Sequence, residues 1–334
     1  MTEAWPIAIA NGWHPVAYDD ELRANKPLAV RLMGEAIVLF RDKEGVAALA
    51  DSCPHRNVPL SGGTICDNAL VCPYHGWVFN GEGACVAVAG VSSNPGKQAK
   101  KYQAKVYHRL IWVSLASDPP PFAELPPEID DPNLDGFWWP LRPREARALD
   151  ALENHLDPMH PHFLHPHLVR GKGKRMTVPV TVQSTPYGAE ASYEEEHLPQ
   201  TLLPRLIEGK RMRSIGRYFA PLTGQVAFEN SKGLTIAISV VFSPMKHNLT
   251  RPYAYFATPK GRMPAWLKNR LITAFHRPVL AQDAAILKAQ SRNIARQGGA
   301  DFAIGPADIL GPTIWRSAHG KEPETFEKRL ELEL

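Results

Sequence analysis

Cysteine occurs four times in this 334-residue chain, at Cys53, Cys66, Cys72 and Cys85, so all four fall within 33 residues and nowhere else. Crowding of that kind gives one short stretch of backbone a common purpose. Disulfides are the usual reading in small oxidised domains. In a chain of this size, whose first residues show no basic stretch followed by an apolar core, metal binding outranks them, and a cytoplasmic location is expected. Two of the cysteines are answered by histidines: Cys53-Pro54-His55, and then Cys72-Pro73-Tyr74-His75. Two thiolates suit an iron that stays ferric. Two neutral imidazoles on a second iron make a [2Fe–2S] cluster less negative and raise its potential above that of an all-cysteine cluster. Structural zinc also accepts two cysteines and two histidines. Paired loops that each carry a proline, followed by Arg56 in one and Gly76-Trp77 in the other, are unusual for it. Cys66 and Cys85 have no histidine at matching spacing and read as ordinary buried thiols.

Around these loops the chain alternates short apolar runs with turn residues. Ala36–Phe40, Leu70–Cys72, Trp77–Phe79 and Leu110–Leu115 read as strands of a small antiparallel domain, with a hairpin at Asn80-Gly81-Glu82-Gly83. The segment from Ser117 to Pro127 holds five prolines and cannot continue a strand or helix, which places a domain boundary there and divides the chain into residues 1–118 and 119–334. Beyond it come a polar helical stretch near Ala146 to His160, strand-like sequence from about Met176 to Thr258, and a long helix from Pro264 to about Gln297, bent at Pro278. With 22% charged residues and a net charge of +4, the composition is that of a globular chain without nucleic-acid character. No apolar run approaches the roughly 20 residues that span a bilayer.

The second concentration of chemistry is Glu153 to His165, thirteen residues with four histidines. Asn154, Asp157 and His160 are spaced by three, which on a helix keeps them in a stripe of about 120°. His165 would point about 140° away from His160 on a straight helix. Pro161 and Pro166 break that geometry and let both histidines converge on one metal. Two histidines and one carboxylate leave a face of Fe(II) open, as oxygen activation requires. His155, His162 and His167 then read as packing or surface residues, and the carboxylate must come from elsewhere.

The pattern Cys53-Pro-His55-Arg56 with Cys72-Pro-Tyr-His75-Gly-Trp77 resembles the Rieske domain of the ring-hydroxylating and O-demethylating oxygenases. Asn154, Asp157, His160 and His165 resemble the catalytic-domain signature of the same family. The resemblance implies an α+β fold: an N-terminal antiparallel β Rieske domain, then a catalytic domain with helices on an antiparallel sheet. It implies a [2Fe–2S] cluster on Cys53, His55, Cys72 and His75. It also implies mononuclear Fe(II) on His160, His165 and Asp283, since Arg277–Gln290 is similar to the late helix that carries the acidic ligand; Asp301 and Glu195 are weaker candidates. Asn154 supports the iron pocket. The family further implies a head-to-tail homotrimer in which Asp157 bridges its own His160 and His75 of a neighbouring subunit.

No dinucleotide fingerprint is found, so electrons must come from a separate reductase or ferredoxin, which the basic run Lys97, Lys100, Lys101 and Lys105 would steer unless it is simply a solvated surface. The length is similar to that of single-subunit O-demethylases and monooxygenases. The expected activity is therefore O2-dependent hydroxylation or demethylation of a small, aromatic organic substrate, with ring cis-dihydroxylation or a purely electron-carrying role as alternatives. Tyr253 and Tyr255, on one face of a strand, are candidate substrate contacts beside an equal expectation of core packing.

Overall fold

A computed structural model describes residues 4–93, 96–166, 168–169, 175–195, 209–321 and 325–334. The chain divides into two compact units, Met1–Phe122 with Ser243–Lys246, and Ala123–Phe242 with His247–Leu334. The division expected at 118/119 falls in the same proline-rich segment. The inclusion of residues 243–246 in the first unit has no counterpart in the sequence reading.

Among the described residues the first unit opens with helix α1 (Ile7–Asn11) and continues with ten strands: β1 (His14–Tyr18), β2 (Leu28–Leu32), β3 (Glu35–Arg41), β4 (Val46–Ala50), β5 (Thr64–Cys66), β6 (Ala69–Val71), β7 (Val78–Phe79), β8 (Cys85–Ala87), β9 (Lys101–Tyr107) and β10 (Leu110–Ser114). They form a six-stranded sheet, β1-β10-β9-β4-β3-β2, and a four-stranded sheet, β5-β6-β7-β8. The apolar run in β3 is continuous because both faces of that strand are covered. Ile37 and Leu39 enter one core with Val16, Ile111 and Val113. Val38 and Phe40 enter a second with Leu60, Leu70, Phe79, Cys53, Cys72 and Cys85. The thiols of the ligand loops thus sit on a hydrophobic floor.

Two turns depart from expectation. Around Asn80 the positive φ is taken by Gly83 (77°) and not by Gly81, because the Asn80 side-chain oxygen accepts the N–H groups of Glu82 and Ala84 and folds the turn itself. Cys66 is exposed rather than buried. It ends β5 at a two-residue turn, Asp67-Asn68, whose positive φ angles of 48° and 61° mark a tight hairpin and leave its corner in solvent.

The second unit is an eight-stranded antiparallel sheet, β11-β17-β16-β15-β14-β13-β12-β18. The strands are β11 (Leu134–Pro140), β12 (Thr177–Thr185), β13 (Gly188–Tyr193), β14 (Arg211–Phe219), β15 (Thr223–Asn230), β16 (Gly233–Lys246), β17 (Leu249–Pro259) and β18 (Glu327–Glu333). Helices α2 (Ala148–Leu156), α3 (His160–Leu164), α4 (Ala265–Gln297) and α5 (Gly311–Ala318) accompany it. Helix α2 lies flat on β15 because Gly224 has no side chain: a Cβ there would stand 2.9 Å from Leu152 and 3.0 Å from His155.

The single helix expected from Ala146 to His160 is two. Pro158 bars its predecessor from helical geometry, and Asp157 is extended at φ −73°, ψ 122°. The chain turns there before α3 begins. Helix α4 runs through Pro278 and stops at Gly298, whose φ of 81° terminates it in the left-handed region.

Candidate metal centres

The two cysteine–histidine loops of the first unit are the same turn built twice. Cys53 accepts a hydrogen bond from Asn57 N–H (2.7 Å) and donates to Val58 O (2.9 Å); Cys72 accepts from Gly76 N–H (3.2 Å) and donates to Trp77 O (2.8 Å). In each, the fifth residue has positive φ: Asn57 at 57° and Gly76 at 63°. Each loop therefore closes on its own cysteine after a fixed number of residues, although the histidine sits at the third position in one and the fourth in the other.

The result is two pairs. Cys53 and Cys72 are buried, and burial together with the neighbouring Cys72 thiol raises the pKa of the Cys53 thiol. The His55 and His75 rings lie 4.7 Å apart. Trp77 stacks on His55 at 4.7 Å and an interplanar angle of 4°. His55 Nδ1 is buried with no hydrogen-bond partner, a costly arrangement for a ring nitrogen unless it is a ligand. A thiol pair facing an imidazole pair, with an orphaned nitrogen, fits a [2Fe–2S] core.

In the second unit, α3, the residue that ends it and α4 bring His160, His165 and Asp283 together. One ligand atom from each lies within 4.8 Å of the others. Both imidazoles are oriented by bonds from their far nitrogens. His160 Nδ1 donates to the carbonyl oxygen of Asp157 at 3.0 Å, and His165 Nδ1 donates to Gln282 Oε1 at 2.8 Å. Those acceptors assign the proton to Nδ1 and leave Nε2 of each ring toward Asp283, at 3.7 Å and 3.0 Å from Oδ1. Burial lowers the affinity of His165 for a proton, but its bonds to Asp283 and Gln282 more than offset this, so its pKa is raised. Asn154 donates to Asp283 Oδ1 at 3.3 Å. The donor set and spacing fit an iron held on one face.

Asp157 caps α3: its carboxylate accepts the N–H groups of Met159 (2.7 Å) and His160 (3.2 Å). It reaches the His160 ring through its backbone carbonyl rather than its carboxylate, which lies 3.7 Å from Nδ1. Gln282 is missing from the sequence reading. Its one signal is adjacency to Asp283, which says nothing about where its side chain points.

The triad lies on the wall of a cavity of about 230 Å³. Its other walls come from α2, α4 and the helix-facing side chains of β15, β16 and β17, among them Val226, Ile238, Phe242, Ala254 and Phe256. Tyr253 and Tyr255 share one face of β17 as expected, but it is the other face. Neither lines the cavity. Tyr255 donates to Ile129 O at 3.2 Å and packs edge-on against Trp138. The two tyrosines take the core-packing alternative, and on β17 the cavity is lined by Ala254 and Phe256.

His155 sits against the sheet beside Ile238 O at 3.3 Å, and burial lowers its pKa to about 4. Glu195 is buried in a pair with Arg211 at 3.5 Å, and Asp301 is exposed; neither joins the triad. His167 lies outside the described residues. Of the basic run, Lys101 pairs with Glu82, Lys100 stands over Tyr102, and Lys105 stands over Trp13 and Phe122. Most of its charge is thus engaged within its own unit. Among the described residues, no helix is long and apolar enough to cross a membrane.

A chain that pairs thiols with imidazoles in one unit and gathers two histidines and a carboxylate beside an apolar cavity in the other has the anatomy of a two-centre iron protein. Residues 12–103 match the Rieske [2Fe-2S] domain, and residues 144–306 match the vanillate O-demethylase oxygenase C-terminal domain. The chain belongs to the Rieske oxygenases, a family of oxidoreductases that includes monooxygenases and dioxygenases.

It is 34% identical over 171 residues to methylxanthine N1-demethylase NdmA of Pseudomonas putida, a stretch covering 46% of each chain. It is 32% identical over 168 residues to the 5,5'-dehydrodivanillate O-demethylase oxygenase subunit of Sphingobium, covering 46% of this chain and 38% of that one. The match spans about half the length of such relatives or less. Whole-fold likeness extends further. Pseudomonas putida NdmA with caffeine superposes with a TM-score of 0.77 at 22% identity, over 93% of this chain and 90% of that one. Dicamba monooxygenase bound to dicamba superposes at 0.78 and 19%, over 93% and 97%. These likenesses establish the fold.

Proposed function

We propose that the chain is the terminal oxygenase component of a multicomponent system, hydroxylating or demethylating a compact, largely apolar aromatic substrate with electrons from a separate reductase or ferredoxin. The observation that carries this reading is the convergence of His160, His165 and Asp283 on one wall of an apolar cavity. Cys53, His55, Cys72 and His75 hold the cluster in the N-terminal domain, residues 1–118; the triad holds mononuclear iron in the domain that follows.

The chain's own contribution is orientation and exclusion. Asp157 and Gln282 fix the two imidazoles with Nε2 forward. Asn154 holds the Asp283 carboxylate. The Val226, Ile238 and Phe242 wall excludes water from the space a substrate would fill, which strengthens every polar contact made there. Iron bound in the triad supplies O2 activation, and the cluster supplies one-electron transfer. His75 is exposed in its unit and the Asp157 side chain is 34% exposed, so each is available to a second copy. This supports a head-to-tail trimer in which Asp157 accepts a hydrogen bond from His75 of a neighbouring subunit. A cytoplasmic location accords with cysteines that are not paired in disulfides.

The test is the ratio of iron to acid-labile sulfide after anaerobic Fe(II) loading and desalting, together with O2 uptake driven by a surrogate reductase. Wild type should hold about three irons to two sulfides and Asp283→Ala about two to two. A wild type that stops at two irons overturns the oxygenase reading in favour of an electron carrier.

A further inference from the structure

Helix α4 presents two polar side chains to the cavity, seven residues apart: Asp283 and His276. Seven residues are two turns, so the two lie on one face, separated by about 10 Å along the axis, with Val279 and Leu280 lining the wall between them. His276 Nδ1 donates to the carbonyl oxygen of Ile272 at 2.8 Å. That bond fixes the ring and its tautomer, and it leaves the lone pair on Nε2. Burial lowers the pKa of this imidazole to about 4 against the opposing effect of the Ile272 bond, so the ring is neutral and Nε2 is an acceptor. No side chain or backbone group among the described residues donates to it. The ring packs edge-on against Phe256 at 5.0 Å.

An acceptor placed in an apolar cavity without a donor costs free energy that a bound ligand can recover, and a site of this kind discriminates against analogues lacking the matching O–H or N–H. We propose that His276 is a substrate-positioning residue whose Nε2 accepts a hydrogen bond from an O–H or N–H of a neutral aromatic substrate, setting the group to be oxidised two helical turns away, toward Asp283. This rests on the oxygenase reading of the same cavity. The competing arrangement is an anion held by Arg144, a cavity-lining residue whose guanidinium has no hydrogen bond or ion pair among the described residues. Arg144 pairs its backbone with Thr250, six residues along β17 from Phe256, or about 20 Å. His276 is the favoured end because its acceptor is walled by Phe256 and Phe275 and cannot be satisfied by protonation.

The test uses the loaded full-length enzyme and three probes that share a para-methoxy ring: 4-methoxyphenol, 1,4-dimethoxybenzene and 4-methoxybenzoate. Calorimetric binding to wild type should favour the phenol over the diether by about five- to tenfold. His276→Phe should bring the phenol down to the affinity of the diether while the diether is held within about twofold, which shows an intact cavity. His276→Gln, which restores an acceptor, should keep part of the preference. The proposal is overturned if wild type binds phenol and diether equally, if His276→Phe keeps the preference, or if none of the three binds. It is also overturned if the benzoate binds most tightly and loses that advantage in Arg144→Gln. Binding discrimination without reductase-driven O2 uptake would overturn the oxygenase reading and leave His276 only as the hydrogen-bond acceptor for a bound ligand.

Discussion

His165 Nδ1 and Gln282 Oε1 stand 2.8 Å apart, and this bond decides which nitrogen of His165 faces Asp283. A carbonyl oxygen accepts only from a protonated ring nitrogen, so Gln282 selects the tautomer whose Nε2 is free to ligate. Gln282→Ala frees the ring to rotate and to exchange tautomers. Loss of such a supporting group lowers metal affinity by about 10- to 100-fold. The expected outcome is a weaker Fe(II) binding isotherm with unchanged visible absorption from the cluster. An unchanged isotherm would show that Gln282 plays no part in the site.

The imidazole pair His55 and His75 should set the cluster potential. In His55→Cys a thiolate replaces a neutral ligand and makes the cluster more negative. Protein-film voltammetry should show the midpoint falling by on the order of 100 mV or more, toward the range of all-cysteine clusters. A midpoint that stays in place would mean that His55 is not a ligand.

Gly224 sets the distance between α2 and the sheet. Gly224→Ala puts a methyl group 2.9 Å from Leu152, 3.0 Å from His155 and 3.2 Å from Leu156. Overpacking of this kind costs about 1–3 kcal/mol. A lower urea midpoint is expected, accompanied by weaker iron retention, because the shifted helix carries Asn154. Retention of both would show that the helix accommodates the methyl.

On β17, alternate residues should behave in opposite ways. Phe256→Ala opens the cavity wall and should weaken binding of aromatic probes at least several-fold, whereas Tyr255→Phe removes one hydrogen bond to Ile129 and costs about 1 kcal/mol of stability with probe affinity unchanged. Isothermal titration of both variants reads the two effects directly, and weakened probe binding in Tyr255→Phe would return that residue to the site.

Acid should destabilise the protein through a buried histidine. His14 is buried, its ring bonded to Ile9 O at 2.8 Å, and burial lowers its pKa from 6.5 to about 4 against that bond. Between those values the unfolded chain binds the proton and the folded chain does not. Stability is therefore full above about pH 6.5 and is lost as pH falls toward 4, by up to about 3 kcal/mol for a group so shifted. Urea midpoints at pH 7 and pH 5 should differ in wild type and differ less in His14→Gln. Equal pH slopes in the two proteins would remove His14 as a source.

The cluster loops are legible in the sequence because everything they need is local. Cysteine, proline, histidine and the residue that accepts positive φ follow one another within six positions, and a repeated turn can be read wherever it lies. His160 and His165 are legible for a similar reason: five residues apart, with proline nearby, they need only a break in the helix. The break before His160 was also written in the sequence, in Pro158, whose constraint on Asp157 turns one expected helix into two.

What lay beyond the sequence is what depends on distant segments meeting. The period of two along β17 shows that Tyr253 and Tyr255 share a face, and equally that Ala254 and Phe256 share the other. Which face meets the helices is decided by how α2 and α4 pack, since both faces are apolar. Gln282 and His276 gain their roles only when α4 is laid against α3 and β17. Asp283 could be nominated from a resemblance, but its meeting with His165 spans 118 residues. Residue type and local spacing thus determined the chemistry this protein can hold. Only the packing of helix on sheet decided which groups share a cavity, because burial and distance across the chain are properties of the whole fold.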